Sequence, residues 1–321
     1  MERPKLNDIF QRFFSKYGHK RIAILTHNRA DTDALASAYA MSKVLPSSVI
    51  CSEEEMNEGA KMLAERLDIE TRELSSLDKK QFEGLVVVDT SAYTLAPCAK
   101  GWKILFVIDH HRGEGRDMKG EFEALDPDSP SASEIIADML SDSAIDQKMA
   151  FALSVGIIAD AARFKSARAN TFEALARLMK KADAPYSELL AFAEPEPKNE
   201  AKIAILTAMK RVNFIYSAGY IIATSEVGSN ESDAAQLISD AADVAFVAKW
   251  KDSEQATRIS ARARKSVKIP LNTVMDAVAR EIGGAGGGHQ KAAGASLKAH
   301  TAECLKKCVE VFIEMAEKSR S

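Results

Sequence analysis

Residues 26–38 read THNRADTDALASA and place His27, Asp31 and Asp33 within seven positions, directly behind the apolar run RIAIL. Carboxylates this close repel one another unless positive charge lies among them, and the stretch offers one cation, Arg29. Three further places carry residues of the same kind: Asp89 in VVVDTS, Asp109, His110 and His111 in FVIDHH, and Asp160 in GIIADAARF. Imidazole and carboxylate together suit manganese, iron or zinc, whereas calcium prefers oxygen alone. His27, Asp31, Asp33, Asp89, His110 and Asp160 exceed what one catalytic ion with open positions uses. They suit two ions that share a carboxylate. A single Asp at a strand end reads as a helix cap or turn residue. Four such clusters at equivalent places read as a metal centre.

The surrounding pattern explains how they meet. RIAILTH (21–27), SVIC (48–51), GLVVVDT (84–90) and KILFVIDHH (103–111) are short apolar runs, separated by helical or loop stretches such as ALASAYAMSKVL and residues 57–67. Strands that are apolar throughout and alternate with helices predict a mainly parallel sheet covered on both faces. Open sheets of that kind present ligands beyond the carboxyl ends of their strands. Residues 6–17 have helical periodicity, 131–182 read as a helical middle, and AFAEPEPKNE (191–200) reads as a linker. After a helix near 201–212, GYIIATSEV, DVAFVAKWKD and TRISARAR look like strands, with a helix at 231–240 between the first two. PLNTVMDAVAREIGG reads as a helix, GASL as a further strand, and 301–317 as a closing helix. The expected plan is α/β: a large domain over 1–190, a linker and connecting helix over 191–212, and a smaller α+β domain over 213–321.

Composition narrows the partners. The formal net charge of −3 over 321 residues argues against broad binding to long nucleic acid, which needs a basic surface, and leaves room for a small anionic substrate. No apolar run approaches the ~18 residues of a membrane span, and MERPKLNDIF lacks the apolar core of a signal peptide. Cys51, Cys98, Cys304 and Cys308 show no zinc-finger spacing. A reduced, cytoplasmic protein is expected, with a homodimer as one open assembly.

Two more stretches stand out. Five of the six residues from 283 to 288 are glycine, and the run enters His289, Gln290 and Lys291. Read as a loop, it lets backbone N–H groups approach a phosphate, with His289 and Lys291 adding charge or donors. Arg258, Arg262 and Arg264 alternate on one predicted strand face, for which a solvated surface is the plain explanation. Arg163 and Lys165, just after Asp160, receive no role.

HNRADTD, an Asp after a mid-domain strand, DHH and GIIAD resemble the four motifs of the DHH phosphoesterase superfamily, and GGGHQKAAG (286–294) resembles the signature of its DHHA1 substrate-binding domain. The resemblance spans nearly the whole chain. It departs at Ala30 and Thr32, where the family pattern has proline and glycine. The D-T-D form is also similar to family II inorganic pyrophosphatases, which carry a different second domain. The DHHA1-like end therefore argues for a phosphodiester substrate.

The resemblance implies two divalent ions, manganese in the first place. His27, Asp31 and Asp89 would hold one, and Asp33, Asp89, His110 and Asp160 the other, with Asp89 bridging. His111 would face the substrate phosphate, and Asp109 would orient a histidine. Arg262, Gly286, Gly287, Gly288 and His289 would bind substrate. The implied activity is hydrolysis of short oligonucleotides, or of small nucleotides such as 3′-phosphoadenosine 5′-phosphate, by metal-activated water. A RecJ-like exonuclease, a cyclic-dinucleotide phosphodiesterase and a non-catalytic nucleotide-binding regulator stay open as alternatives.

Overall fold

The computed structural model describes residues 3–111, 116–162 and 164–319. Arg163 lies outside the described residues. Two compact units divide the chain, 1–196 and 197–321.

The first unit is built on five parallel strands: β1 (Ile22–Leu25), β2 (Ser48–Cys51), β3 (Gly84–Val88), β4 (Ile104–Asp109) and β5 (Phe122–Leu125), in the order β2-β1-β3-β4-β5. Every residue of β1, β3 and β4 is buried, which is why each reads as a continuous apolar run. The helices are α1 (Arg3–Tyr17), α2 (Thr32–Val44), α3 (Glu58–Leu67), α4 (Ala132–Met139), α5 (Gln147–Asp160), α6 (Ala169–Ala182) and α7 (Tyr186–Ala193). Alanine-rich α2 lies buried against α5. At Gly156 of α5, an added Cβ would stand 2.2 Å from Ser133 Oγ and 2.9 Å from Asp33 Oδ1, so only glycine permits this approach. β5 was not anticipated: a four-residue edge strand, mostly half-buried, gives no continuous apolar signal.

The second unit contains α8 (Asn199–Lys210), β6 (Asn213–Ser217), β7 (Tyr220–Glu226), α9 (Glu231–Ser239), β8 (Val244–Lys251), β9 (Ala256–Ala263), α10 (Leu271–Ile282), β10 (Gly284–Gly288), β11 (Ala292–Leu297) and α11 (Thr301–Lys318). The strand order is β10-β11-β9-β8-β7-β6, antiparallel except for β7 with β8. One face packs on α10 and α11, where Cys304 and Cys308 are buried, and the other on α8 and α9. The connecting helix thus belongs to this unit, through Ala204 and Ala208.

The glycine-rich run corrects an expectation. Gly284–Gly288 form edge strand β10, paired with β11, rather than a loop. Glycine has little intrinsic strand preference, so packing decides. A Cβ on Gly286 would lie 2.2 Å from the Met275 carbonyl oxygen, so the backbone of α10 rests directly on the strand.

Candidate metal centre

β1, β3 and β4 are neighbours in the sheet, and their carboxyl ends deliver the unusual residues to one place. His27 follows β1, Asp89 follows β3, Asp109 ends β4, and His110 and His111 come next. Asp31 caps α2, its Oδ1 accepting the Ala34 N–H at 3.0 Å, and Asp33 sits in the first turn. Asp160 closes α5.

Three groups of potential ligand atoms result, each drawn together within 4.8 Å: His27, Asp31 and Asp89; Asp33, His110 and Asp160; Asp89, His110 and His111. Asp89 holds the centre. Its Oδ2 is 3.5 Å from His27 Nε2 and its Oδ1 is 3.3 Å from His110 Nε2. Asp160 Oδ2 lies 3.0 Å from the same His110 nitrogen. The backbone of Asp89 takes φ +60°, a conformation costly for most side chains and concentrated at functional sites.

The electrostatics demand positive charge. Burial first, then the charges of Asp89 and Asp160, raise the Asp33 carboxyl well above its ordinary range. Burial opposes a charged imidazole at His27, yet Asp31 and Asp89 outweigh it and push the ring up to about 11. At His110 burial is likewise overcome by Asp160 and Asp89, again to about 11.

The donor set fits divalent ions. His27 Nδ1 lies 2.6 Å from the Asn28 carbonyl and His110 Nδ1 lies 3.2 Å from that of Ser129. A carbonyl only accepts, so each Nδ1 donates, and in the neutral rings each Nε2 lone pair faces the carboxylates. His110 Nε2 and Asp89 Oδ1 are buried, yet among the described residues neither makes a hydrogen bond. A cation between them satisfies both.

Asp33 is fixed from behind by the start of α4: Ala132 N–H donates to Oδ2 at 2.7 Å and Ser133 N–H to Oδ1 at 2.9 Å. Asp109 is fully buried and turned toward His111, accepting from its backbone N–H at 3.1 Å and contacting Nδ1 at 2.8 Å. Ser91 donates to its other oxygen at 2.5 Å. The Asp109 hydrogen bond raises the His111 pKa and engages Nδ1 of a half-exposed ring, whose Nε2 makes no hydrogen bond to the described residues.

Sequence reasoning missed the segment behind the site. Residues 126–134 supply the Ser129 carbonyl to His110 and two N–H groups to Asp33. Arg168 spans this segment, with Nη2 2.7 Å from buried Glu134 Oε1 and Nη1 3.7 Å from Asp126 Oδ2. One signal was readable: Ser131 caps α4 three residues before Glu134, the start of a capping-box pattern. Arg168→Gln should lower divalent-metal affinity roughly 10–100-fold, the usual cost of losing an outer support. It should also cost about 2 kcal/mol of stability. Calorimetric titration beside a melting curve checks both; unchanged affinity with a lower melting temperature would reduce Arg168 to a structural role.

In the second unit, Arg262 donates to Ser232 Oγ at 2.7 Å, Arg258 pairs with Glu254 at 2.7 Å, and Arg264, one residue beyond β9, donates to the Ser239 carbonyl at 3.3 Å. Lys291 donates to the Val267 carbonyl, and His289 is exposed. A pocket of about 410 Å³ lies over Arg258, Ser260, Gly287 and Gly294, with Gly286 also at its edge. Arg262, Gly288 and His289 are not among its lining residues. A Cβ on Gly287 would meet nothing within 4 Å, so this glycine is open where Gly286 is packed.

Known proteins share this architecture. The family model described as the DHH family, N-terminal domain, matches residues 21–157, and that of the DHHA1 domain matches residues 212–318. An uncharacterized protein of Methanocaldococcus jannaschii is 29% identical, over 93% of this chain and 96% of its own. A crystal structure of an exopolyphosphatase-related protein from Bacteroides fragilis superposes with TM-score 0.79 at 16% identity, covering 99% of this chain and 98% of that one. A putative family II inorganic pyrophosphatase from Methanococcus jannaschii gives TM-score 0.50 at 13% identity, over 92% and 99%. At such identities the two structures speak for the fold alone.

Proposed function

The chain belongs to the DHH/DHHA1 phosphoesterase superfamily, hydrolases of phosphoester bonds, and from that premise we propose a manganese-dependent phosphodiesterase of short oligonucleotides and small nucleotides. Dinucleotides and 3′-phosphoadenosine 5′-phosphate are the substrates we favour. The observation that carries this reading is Asp89, shared between groups of ligands on both its sides, with its own Oδ1 and His110 Nε2 buried and unbonded.

In this reading His27, Asp31 and Asp89 would hold one ion, and Asp33, Asp89, His110 and Asp160 would hold the other. Two divalent ions so held would supply an activated water and neutralise charge on the phosphoryl oxygens. His111, steadied by Asp109, turns Nε2 to the substrate phosphate. The carboxylates are arranged beforehand by helix caps and backbone donors, so little reorganisation accompanies reaction. On the second unit, substrate binding is assigned to His289, Arg262 and the strand Gly286, Gly287 and Gly288. A reducing cytoplasm suits the four free cysteines, and among the described residues no helix is long and apolar enough to cross a membrane.

A substrate panel tests the reading: dinucleotides, strands of tens of nucleotides, 3′-phosphoadenosine 5′-phosphate and pyrophosphate, each with manganese. Fastest turnover of dinucleotides or phosphoadenosine phosphate supports it, and pyrophosphate as the best substrate would overturn it. His289→Ala should leave metal content unchanged while lowering kcat/KM roughly ten- to a hundredfold, the loss of a hydrogen bond to a charged group. Parent-like kinetics in that variant would remove His289 from the substrate site.

A further inference from the structure

The second unit concentrates its exposed apolar side chains in two consecutive elements. Phe214 and Tyr216 of β6 are 71% and 76% exposed, and Ile203, Leu206 and Met209 of α8 are 64%, 65% and 53% exposed. β6 is an end strand of its sheet, and its sequence NFIYS contains neither charge nor proline, two of the devices that protect sheet edges.

The backbone defines what fits there. β6 pairs with β7 across a two-residue turn, Ala218 and Gly219, both with positive φ. The Ile221 N–H donates to Asp243 Oδ2 at 2.8 Å and its carbonyl accepts from Asp243 N at 2.9 Å, so both groups of Ile221 face away from β6. Tyr216, directly opposite Ile221, is therefore in a non-hydrogen-bonded pair, and its own N–H and carbonyl face the free edge. By alternation those of Phe214 do the same.

We propose that β6 is a homodimer surface, pairing antiparallel with β6 of a second copy about a two-fold axis at Ile215. This register sets Phe214 of each copy opposite Tyr216 of the other. Each of the two pairs exchanges both backbone hydrogen bonds, and the rings meet as cross-strand aromatic pairs on one face. The edge is complementary to itself, as a two-fold interface requires. The area is also adequate. At about 150–250 Å² per aromatic side chain, Phe214 and Tyr216 offer roughly 300 Å² at their exposures. The α8 stripe, which leads into β6 through residues 211–212, adds a comparable amount. With the strand backbone the sum approaches the roughly 800 Å² per partner of a stable dimer.

Sedimentation equilibrium of the full chain, without substrate, tests the proposal. A particle of twice the chain mass is expected. Tyr216→Lys should weaken it roughly tenfold or more while keeping the parent's melting profile. Ile215→Cys, beside the axis, should form a covalent dimer under mild oxidation, while Tyr216→Cys, whose neighbour across the interface is Phe214, should not. A monomer at every concentration would overturn the surface. So would a dimer that Tyr216→Lys leaves as tight and Ile215→Cys leaves uncrosslinked.

Discussion

Asp89→Asn is expected to abolish phosphodiester hydrolysis and to release both metal ions of the proposed centre together. Asp89 stands between His27 and His110, 3.5 Å and 3.3 Å from their Nε2 atoms, and among the described residues it is the one carboxylate that faces both. The amide keeps the shape but loses the charge and one acceptor oxygen. Asparagine also tolerates the φ +60° of this position, so the backbone need not move. Activity should fall at least roughly a thousandfold, about 4 kcal/mol of transition-state stabilisation. Metal analysis after gel filtration should find neither ion, and the melting temperature in chelator should stay near that of the parent. A variant that still holds two ions would break the bridging assignment.

Substrate length gives the second large effect. Turnover should be fastest from about two to five nucleotides and gain little beyond, because only contacts that strengthen in the transition state raise it. The net charge of −3 offers no surplus of cations. Apart from Arg262, assigned above to the substrate, the arginines on and just after β9 are engaged locally: Arg258 with Glu254 and Arg264 with the carbonyl of Ser239. With two phosphates neutralised, affinity should drop only about sevenfold between roughly 50 and 200 mM salt. A steep salt dependence, with strands of tens of nucleotides digested faster than dinucleotides, would favour a RecJ-like exonuclease.

The sheet of the first unit was legible because burial on both faces makes β1, β3 and β4 continuous apolar runs, and chemistry-bearing residues at their ends stand out against them. Of the edge strands only β2, read from SVIC, left such a trace. β5 is mostly half-buried, β6 is mostly exposed, and β10 is four-fifths glycine. What makes β10 a strand is the α10 backbone lying on Gly286, a tertiary fact without a local signal. The chemistry-bearing residues were legible in the same way, since imidazoles and carboxylates declare themselves by type. Their supports were not. Ala132 N–H, Ser133 N–H and the Ser129 carbonyl are backbone groups, which every sequence contains. Arg168 reaches Glu134 across 34 positions, and no periodicity links them.

The most direct test of the two-ion centre is a titration of manganese into chelator-treated protein, following binding by calorimetry and dinucleotide hydrolysis in parallel. Two equivalents should bind, with no hydrolysis at the start and full rate only as the second site fills. Hydrolysis undiminished in chelator, or complete after a single equivalent, would contradict a centre in which Asp89 joins two ions.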